Sequence, residues 1–147
     1  MKTRHLARSI IVQTLYSLDF NGNIHNIQLP YTDTFPGYTA EEQQALEQEV
    51  VLYATFMING VLEHLDEVDE MINRFSSTRS IENINIVDRN ILRLGIYTLL
   101  YCKDIHPNIV IDESVKLSQE FSTEVNYRFI NGLLDTAVRF LYDSAKN

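Results

Sequence analysis

The 147-residue sequence contains one cysteine, and this scarcity limits how the fold can be stabilised. Cys102 alone cannot form an intrachain disulfide, and it lies in an apolar run, so we expect a packed thiol in a reduced, cytoplasmic protein. The basic N-terminus leads into an apolar run that Gln13 and Asp19 interrupt, and no small-residue cleavage site follows. We therefore expect no secretory signal peptide.

Sequence motifs of enzymes are missing as well. There is no Gly-rich nucleotide loop, HExxH, CxxC or nucleophile elbow, and Gly22 and Gly37 each stand alone. The acidic residues around positions 63–70 lack the Glu-x-x-His pair that a di-iron helix needs. We interpret them as a solvated helix face, and we expect no enzymatic activity, no metal site and no cofactor.

Positive charge is scarce, with 12 basic against 20 acidic residues and a net charge of −8. This balance argues against a general nucleic-acid-binding protein, because a net negative charge repels phosphate. The distribution is uneven, since residues 1–18 contain Lys2, Arg4 and Arg8 and no acidic residue. A basic N-terminal helix can attract phosphate while the acidic segment repels it, so any nucleic-acid binding should be confined to one side.

Uninterrupted apolar runs of membrane-spanning length are also lacking. The most apolar stretch, residues 84–102, contains Asp88, Arg89 and Arg93, and is too interrupted for a membrane span. Its apolar residues would cover most of the circumference of a helix, which is typical of a helix surrounded by others. We predict a buried central helix here, with Gly95 allowing a neighbour to approach closely.

Periodic apolar residues predict further helices on both sides of this one. Residues 3–20 form the first, with Arg4 and Arg8 one turn apart. A long loop follows at 21–38, and the capping box from Thr39 to Glu42 opens a helix that we expect to continue to about Phe75. Helices starting at Pro107 and after a cap at Asn126 bring the periodic helices to five. For the whole chain we expect a single, compact all-α domain of about six to seven helices.

Two aromatic residues, Tyr16 and Phe20, fall on the polar side of the first predicted helix. In one interpretation they cover a neighbouring helix. In the other they form a stacking surface beside the basic flank, which single-stranded RNA could use. The sequence pattern leaves both interpretations open.

Three stretches taken together resemble the transcription antitermination factor NusB family of bacteria. The first is Arg4-x-x-Ala7-Arg8, followed by Gln13 and the pair Leu15-Tyr16. The second is VDRNILRLGIY at 87–97, followed by Pro107 and IDESVKL at 111–117. The third is RFINGLLD at 128–135, the most specific of the three, in which we interpret Asn131-Gly132 as a feature of helix crossing. Their order and spacing cover most of the chain except the loop and much of the acidic segment.

The resemblance implies a non-enzymatic fold of two packed helical sub-bundles, about 1–78 and 79–147, around the central helix. It implies pairing with the ribosomal protein NusE and binding of the heterodimer to boxA segments of ribosomal RNA leaders. It also implies an indirect link to RNA polymerase, read-through of terminators and support of rRNA maturation. The implied RNA-binding residues are Lys2, Arg4, Arg8, Tyr16, Arg128 and Phe129. The implied partner-binding residues are Tyr16, Asp88 and Glu113.

Several positions depart from the family pattern. His5 and Leu6 stand in a tract that is often denser in arginine, and Val125 precedes the last helix where an acidic or polar residue is common. Asp112, Ser114 and Ser118 replace common Asn and Ala residues. Because fewer arginines release fewer counterions, we predict that the isolated chain binds RNA poorly and depends on its partner.

Two other functional hypotheses compete with this one. A protein-only helical adaptor that has lost RNA contact would fit the sparse basic tract and the acidic balance. The NusB-like front domain of an rRNA cytosine methyltransferase does not fit, because no chain remains for a cofactor-binding domain. Pairing of two copies of the chain stays open, since no sequence feature decides it.

Overall fold

Helices make up the regular structure of the described residues, 2–122 and 126–143, in this computed structural model. Within these residues there are seven α-helices, one short 3₁₀ helix, one π-helical turn and no β-strand. The α-helices are α1 (Lys2–Phe20), α2 (Ala40–Gln44), α3 (Gln48–Glu63), α4 (Leu65–Phe75), α5 (Ile86–Tyr101), α6 (Pro107–Phe121) and α7 (Tyr127–Val138). The 3₁₀ helix spans Ile81–Asn83 and the π-helical turn Arg139–Asp143. The predicted all-α class is confirmed.

The chain divides into two compact units, Met1–Glu63 and His64–Asn147. The resemblance implied sub-bundles of about 1–78 and 79–147, and the contacts of the structure group α4 with the second unit. The helices α5, α6 and α7 belong to that unit too. None of the described helices combines the length and the apolar character that crossing a membrane requires.

In the first unit, α1 packs against α3 through the apolar stripe that the sequence predicts. The buried side chains are Ala7, Ile10, Ile11 and Leu15 from α1, and Val50, Ala54, Met57, Ile58 and Val61 from α3. Thr14 lies in the same buried stripe, and its hydroxyl donates a hydrogen bond to the Ile10 carbonyl at 2.8 Å. Its polar group is therefore satisfied inside the helix.

The segment after Thr39 is not one long helix, and that prediction is wrong. The capping box itself is present: the Thr39 hydroxyl accepts from the Glu42 N–H at 3.1 Å, and the Glu42 carboxylate accepts from the Thr39 N–H at 2.9 Å. The helix it opens ends at Gln44, and a second break occurs at His64, whose φ of −114° and ψ of 22° are not helical. Across the break at His64, Val61, Leu65 and Val68 keep a helical spacing, so periodicity alone could not reveal that break.

The loop of residues 21–38 is held to the first unit by its own aromatic residues. Tyr31 and Phe35 are buried. The Tyr31 N–H donates to Asn59 Oδ1 at 2.6 Å, and the Phe35 N–H donates to Gln43 Oε1 at 2.7 Å. These two bonds satisfy backbone groups that a long loop would otherwise leave to water.

The second unit is built around α5, which confirms the predicted central helix. Every residue from Asn90 to Leu99 is buried, and the helix packs against α4, α6 and α7. A Cβ at Gly95 would lie 3.1 Å from Ser114 Oγ and 3.2 Å from Leu134 Cδ2, so glycine allows the close approach that we expected. Asn85 caps the helix by accepting from the Val87 N–H at 2.9 Å, and Pro107 stands at the first turn of α6, as predicted.

Candidate nucleic-acid interface

The basic residues of the first unit lie on the N-terminal turns of α1. Arg4 and Arg8 are one turn apart and half-buried, and the first turn contains no acidic residue. Lys2 begins the helix, but its side chain lies outside the described part of the structure. Cations at a helix N-terminus oppose the helix dipole, whereas an anion there is stabilised. This end of α1 is therefore electrostatically suited to a bound phosphate.

A tyrosine from α3 orients one of these cations. The Arg4 guanidinium carbon lies 3.7 Å from the centre of the Tyr53 ring, which is a cation–π contact. In the sequence, Tyr53 is distinguished only as part of the apolar stripe of the acidic segment. Its role could not be inferred from periodicity, because the contact depends on how α1 and α3 pack.

Farther along α1, Tyr16 and Phe20 form a stacked aromatic pair. Their ring centres are 5.8 Å apart and the ring planes differ by 18°. Tyr16 is half-buried, whereas Phe20 is 68% exposed. An apolar ring with this exposure contributes little to the core of its own unit, and the stacking surface stays a prediction.

In the second unit, the candidate residues Arg128 and Phe129 lie in the first turn of α7. Arg128 is exposed and lies 5.9 Å from the centre of the Tyr127 ring, while Phe129 is half-buried. The residues 123–125, including Val125, lie outside the described residues. The structure thus brings together a cation and two aromatic rings at the start of one helix.

An open groove of about 500 Å³ adjoins this turn between α6 and α7. Its walls are formed by Asp112, Val115, Lys116, Gln119, Tyr127, Arg128 and Asn131. Lys116 Nζ is 3.6 Å from the carboxylate of Glu113, so one of the two groove cations is partly neutralised. Amide, aromatic and cationic groups on one wall are able to bind a nucleotide base together with its phosphate.

Arg79 joins this turn from the connection after α4, and no sequence motif singles it out. Its guanidinium carbon lies 4.5 Å from the centre of the Phe129 ring. By composition, residues 76–80 are only a polar connection between two helices. The sequence shows only that basic residues outnumber acidic ones in the segment that begins here. This excess does not indicate which aromatic ring Arg79 contacts.

The two remaining candidates, Asp88 and Glu113, are less accessible than a partner-binding role suggests. Asp88 is 1% exposed, and Ser118 Oγ donates to its Oδ1 at 3.1 Å. Glu113 is half-buried and pairs with Lys116. In this structure Asp88 is part of the α5–α6 packing, so its effect on a partner would pass through the residues around it. Its partner-binding role stays a prediction.

Asn131 and Gly132 show a further difference from expectation. The sequence predicted that this pair would allow two helices to cross closely. Asn131 lines the groove instead, and a Cβ at Gly132 would meet nothing within 4 Å. The interpretation is therefore wrong for Gly132, because an open position does not permit a closer approach than alanine would.

Titratable groups with shifted pKa values lie apart from these candidates. Burial, with a smaller contribution from Asp104, raises the pKa of the Cys102 thiol, and a hydrogen bond to Glu67 raises the pKa of Tyr101. In the part of the chain that the structure describes, no group of three or more His, Cys, Asp or Glu residues is placed to hold a metal ion. The side chains of the candidate interface described above are mainly arginines, lysines and aromatic rings.

With this geometry established, comparison with known proteins identifies the family. The model of the NusB family matches residues 5–139. The transcription antitermination protein NusB of a Nitratiruptor species is 36% identical over 139 residues, covering 95% of this chain and 94% of that protein. The chain belongs to the NusB family.

Solved NusB structures share the fold of this family member. T. maritima NusB has a TM-score of 0.73 at 28% identity, covering 90% of this chain and 87% of that one. A chain from the crystal structure of the antitermination factors NusB and NusE in complex with dsRNA has a TM-score of 0.74 at 26% identity, with 98% of both chains covered. The similarity extends over both units of the chain.

The NusB match contains most of the candidate interface. Arg8, Tyr16, Arg128 and Phe129 fall within the matched residues, and so does Arg79. Lys2 and Arg4 precede the match, in the sparse basic tract at the start of the chain. The cation–π contact between Arg4 and Tyr53 nevertheless gives this sparse tract one oriented charge.

Proposed function

We propose that this NusB family member is a non-enzymatic antitermination factor that pairs with NusE and binds boxA-type single-stranded RNA of ribosomal RNA leaders. The observation that carries the proposal is the likeness, over 98% of the chain, to a NusB crystallised with NusE and dsRNA. In this proposal the heterodimer promotes read-through of terminators and rRNA maturation, and contacts RNA polymerase indirectly in the cytoplasm.

The chemistry of the candidate residues supports RNA as the ligand. Arg4, Arg8 and Arg128 supply guanidinium groups for phosphates, and the Tyr16–Phe20 pair supplies a stacking surface for bases. The proposed RNA-binding set is Lys2, Arg4, Arg8, Tyr16, Arg128 and Phe129. The proposed partner-binding residues are Tyr16, Asp88 and Glu113, with Asp88 acting through the residues around it.

The charge balance supports dependence on a partner. With a net charge of −8 and a sparse basic tract, the chain alone offers few counterion-releasing contacts. Binding to NusE would add contacts from a second protein without requiring more arginines here. We therefore expect weak RNA binding by the isolated chain and selective binding by the heterodimer.

Fluorescence anisotropy tests this function directly. A labelled boxA-type RNA and a scrambled RNA of equal composition are titrated with the chain alone and with the chain plus NusE, at about 50 and about 200 mM salt. The test variant is Arg4→Ala/Arg8→Ala. The control Lys103→Ala/Arg139→Ala also removes two positive charges, but from residues outside the proposed set.

The expected result is boxA-selective binding that appears with NusE, and weaker binding of both RNAs by the test variant while NusE binding is retained. The slope of log K against log salt should fall by about 1.4 in the test variant, since two phosphate contacts to single-stranded RNA are removed. A heterodimer without any preference for boxA would instead favour the protein-only adaptor. Sedimentation of the chain alone would show whether it also forms a homodimer.

A further inference from the structure

The contact between Arg79 and Phe129 places a cation directly against an aromatic ring of the proposed RNA site. The guanidinium carbon is 4.5 Å from the ring centre, and both side chains are half-buried. No carboxylate forms an ion pair with Arg79 within residues 2–122 and 126–143. A cation–π contact does not use the hydrogen-bonding capacity of the guanidinium N–H groups, so they remain able to donate to a phosphate.

The connection that bears Arg79 is fixed by hydrogen bonds before and after it. The Ser76 hydroxyl donates to the Arg79 carbonyl at 2.5 Å, and the Arg79 N–H donates to the Ser76 Oγ at 3.3 Å. Beyond Arg79, the Ile81 N–H donates to Asn73 Oδ1 at 2.7 Å. Arg89 also holds this segment, since its Nη1 donates to the Ile81 carbonyl at 3.3 Å.

This fixation reduces what binding would cost. A side chain on a flexible loop loses conformational freedom when it binds a ligand, whereas a pre-positioned one loses less. The backbone at Arg79 is held on both sides, and its guanidinium already rests on Phe129. Arg128, the next residue along α7 from Phe129 toward its N-terminus, adds a second cation to the same turn.

We propose that Arg79 is an RNA-contacting residue, which holds Phe129 as a stacking platform for a base and binds the adjoining phosphate with its guanidinium edge. This inference rests on the proposed function and adds a residue to its site. The predicted set of RNA-binding residues does not include Arg79. Arg79 lies in the connection after α4, whereas Phe129 lies in α7.

The same unit provides a matched control. Arg74 makes the same kind of contact, with its guanidinium carbon 4.2 Å from the centre of the Phe140 ring. Phe140 lies eleven residues after Phe129, in the π-helical turn that follows α7, which is about three helical turns away. Arg74→Ala therefore removes one charge and one cation–π contact at the other end of that helix.

The experiment measures binding of boxA-type single-stranded RNA by the full chain with NusE, at several salt concentrations. We compare the wild type, Arg79→Ala, Arg79→Lys and Arg74→Ala. We expect Arg79→Ala to lower the affinity roughly tenfold, as for loss of a hydrogen bond to a charged group, and to reduce the salt slope by about 0.7. Arg79→Lys should keep the slope of the wild type and recover only part of the affinity, because an ammonium cannot stack as a plane.

The salt slope distinguishes a phosphate contact from a purely structural role. If Arg79→Ala loses affinity with an unchanged slope, the phosphate contact is ruled out. An effect no larger than that of Arg74→Ala also overturns the proposal, as does full RNA affinity of Arg79→Ala. If the wild-type heterodimer itself fails to bind the RNA, the proposed function and this inference both fail. If the wild type binds and Arg79→Ala binds equally well, only this inference fails.

Discussion

Arg93 of α5 and Asp69 of α4 form a buried, bidentate ion pair that joins the two helices. Arg93 Nε donates to Asp69 Oδ1 at 2.8 Å, and Arg93 Nη2 donates to Asp69 Oδ2 at 2.9 Å. A third donor, Nη1, reaches Asn90 Oδ1 at 3.0 Å. Because two hydrogen bonds run in parallel, the pair fixes both the distance and the relative orientation of its two side chains.

This pair predicts a large effect of removing one partner. Asp69→Ala leaves the Arg93 charge in a buried site without its carboxylate, so we expect the free energy of unfolding to fall by about 3–5 kcal/mol. Urea denaturation followed by circular dichroism measures the change. The exposed Glu70→Ala on the same helix is the control and should shift stability by less than about 0.5 kcal/mol.

A double variant separates the ion pair from the packing around it. Asp69→Leu/Arg93→Met replaces both charges by apolar groups, so no uncompensated charge remains buried. It should therefore be less destabilising than Asp69→Ala alone. If Asp69→Ala itself proved neutral, the pair would have no role in joining the two helices.

The sequence predicted those parts of the fold that depend on short-range pattern. Gly95 is conspicuous because it lies in a helix that is apolar over most of its circumference, and the Thr39 capping box needs only four residues. The break at His64 was missed because neither glycine nor proline marks it. The sequence did not predict the ion pair between Asp69 and Arg93, because no pattern distinguishes a buried acidic residue of α4 from its exposed neighbours. Only the packing of the helices decides which one is buried.

The candidate site follows the same division. Arg4, Arg8, Arg128 and Phe129 are predicted from a resemblance carried by contiguous motifs. Arg79 contacts Phe129 from a segment with no motif of its own, so only the three-dimensional packing brings the two residues together.

Two helical glycines provide a test of close packing. At Gly95 an added Cβ would press on Ser114 Oγ, which is engaged with the Val110 carbonyl at 2.8 Å, and on the fully buried Leu134. Neither can yield easily, so Gly95→Ala should destabilise by about 1–3 kcal/mol. Gly132 has open space, so Gly132→Ala should stabilise by up to about 1 kcal/mol. Thermal unfolding of both variants checks the opposite signs.

The Cys102 thiol provides a test that depends on pH. Burial is the main cause that raises its pKa in the folded protein. The neutral thiol is therefore favoured by folding, and this stabilisation is present below the unfolded pKa and is lost as the pH rises through the folded pKa. Near pH 8.5, where a free thiol is about half ionised, we expect the native protein to react more slowly with iodoacetamide than the urea-unfolded chain. Equal rates would contradict a raised pKa.

Phe20 and Phe56 form a matched pair for testing the stacking surface of the first unit. They are 68% and 65% exposed, so replacing either by alanine should change the free energy of unfolding by less than about 0.5 kcal/mol. Only Phe20 stacks on Tyr16. Phe20→Ala should therefore weaken binding of boxA-type RNA by the heterodimer by about 1–3 kcal/mol, the usual contribution of one base stacked on an aromatic ring, whereas Phe56→Ala should leave it unchanged. Equal losses in the two variants, measured by anisotropy at one salt concentration, would show that exposed aromatic area matters here and the Tyr16–Phe20 pair does not.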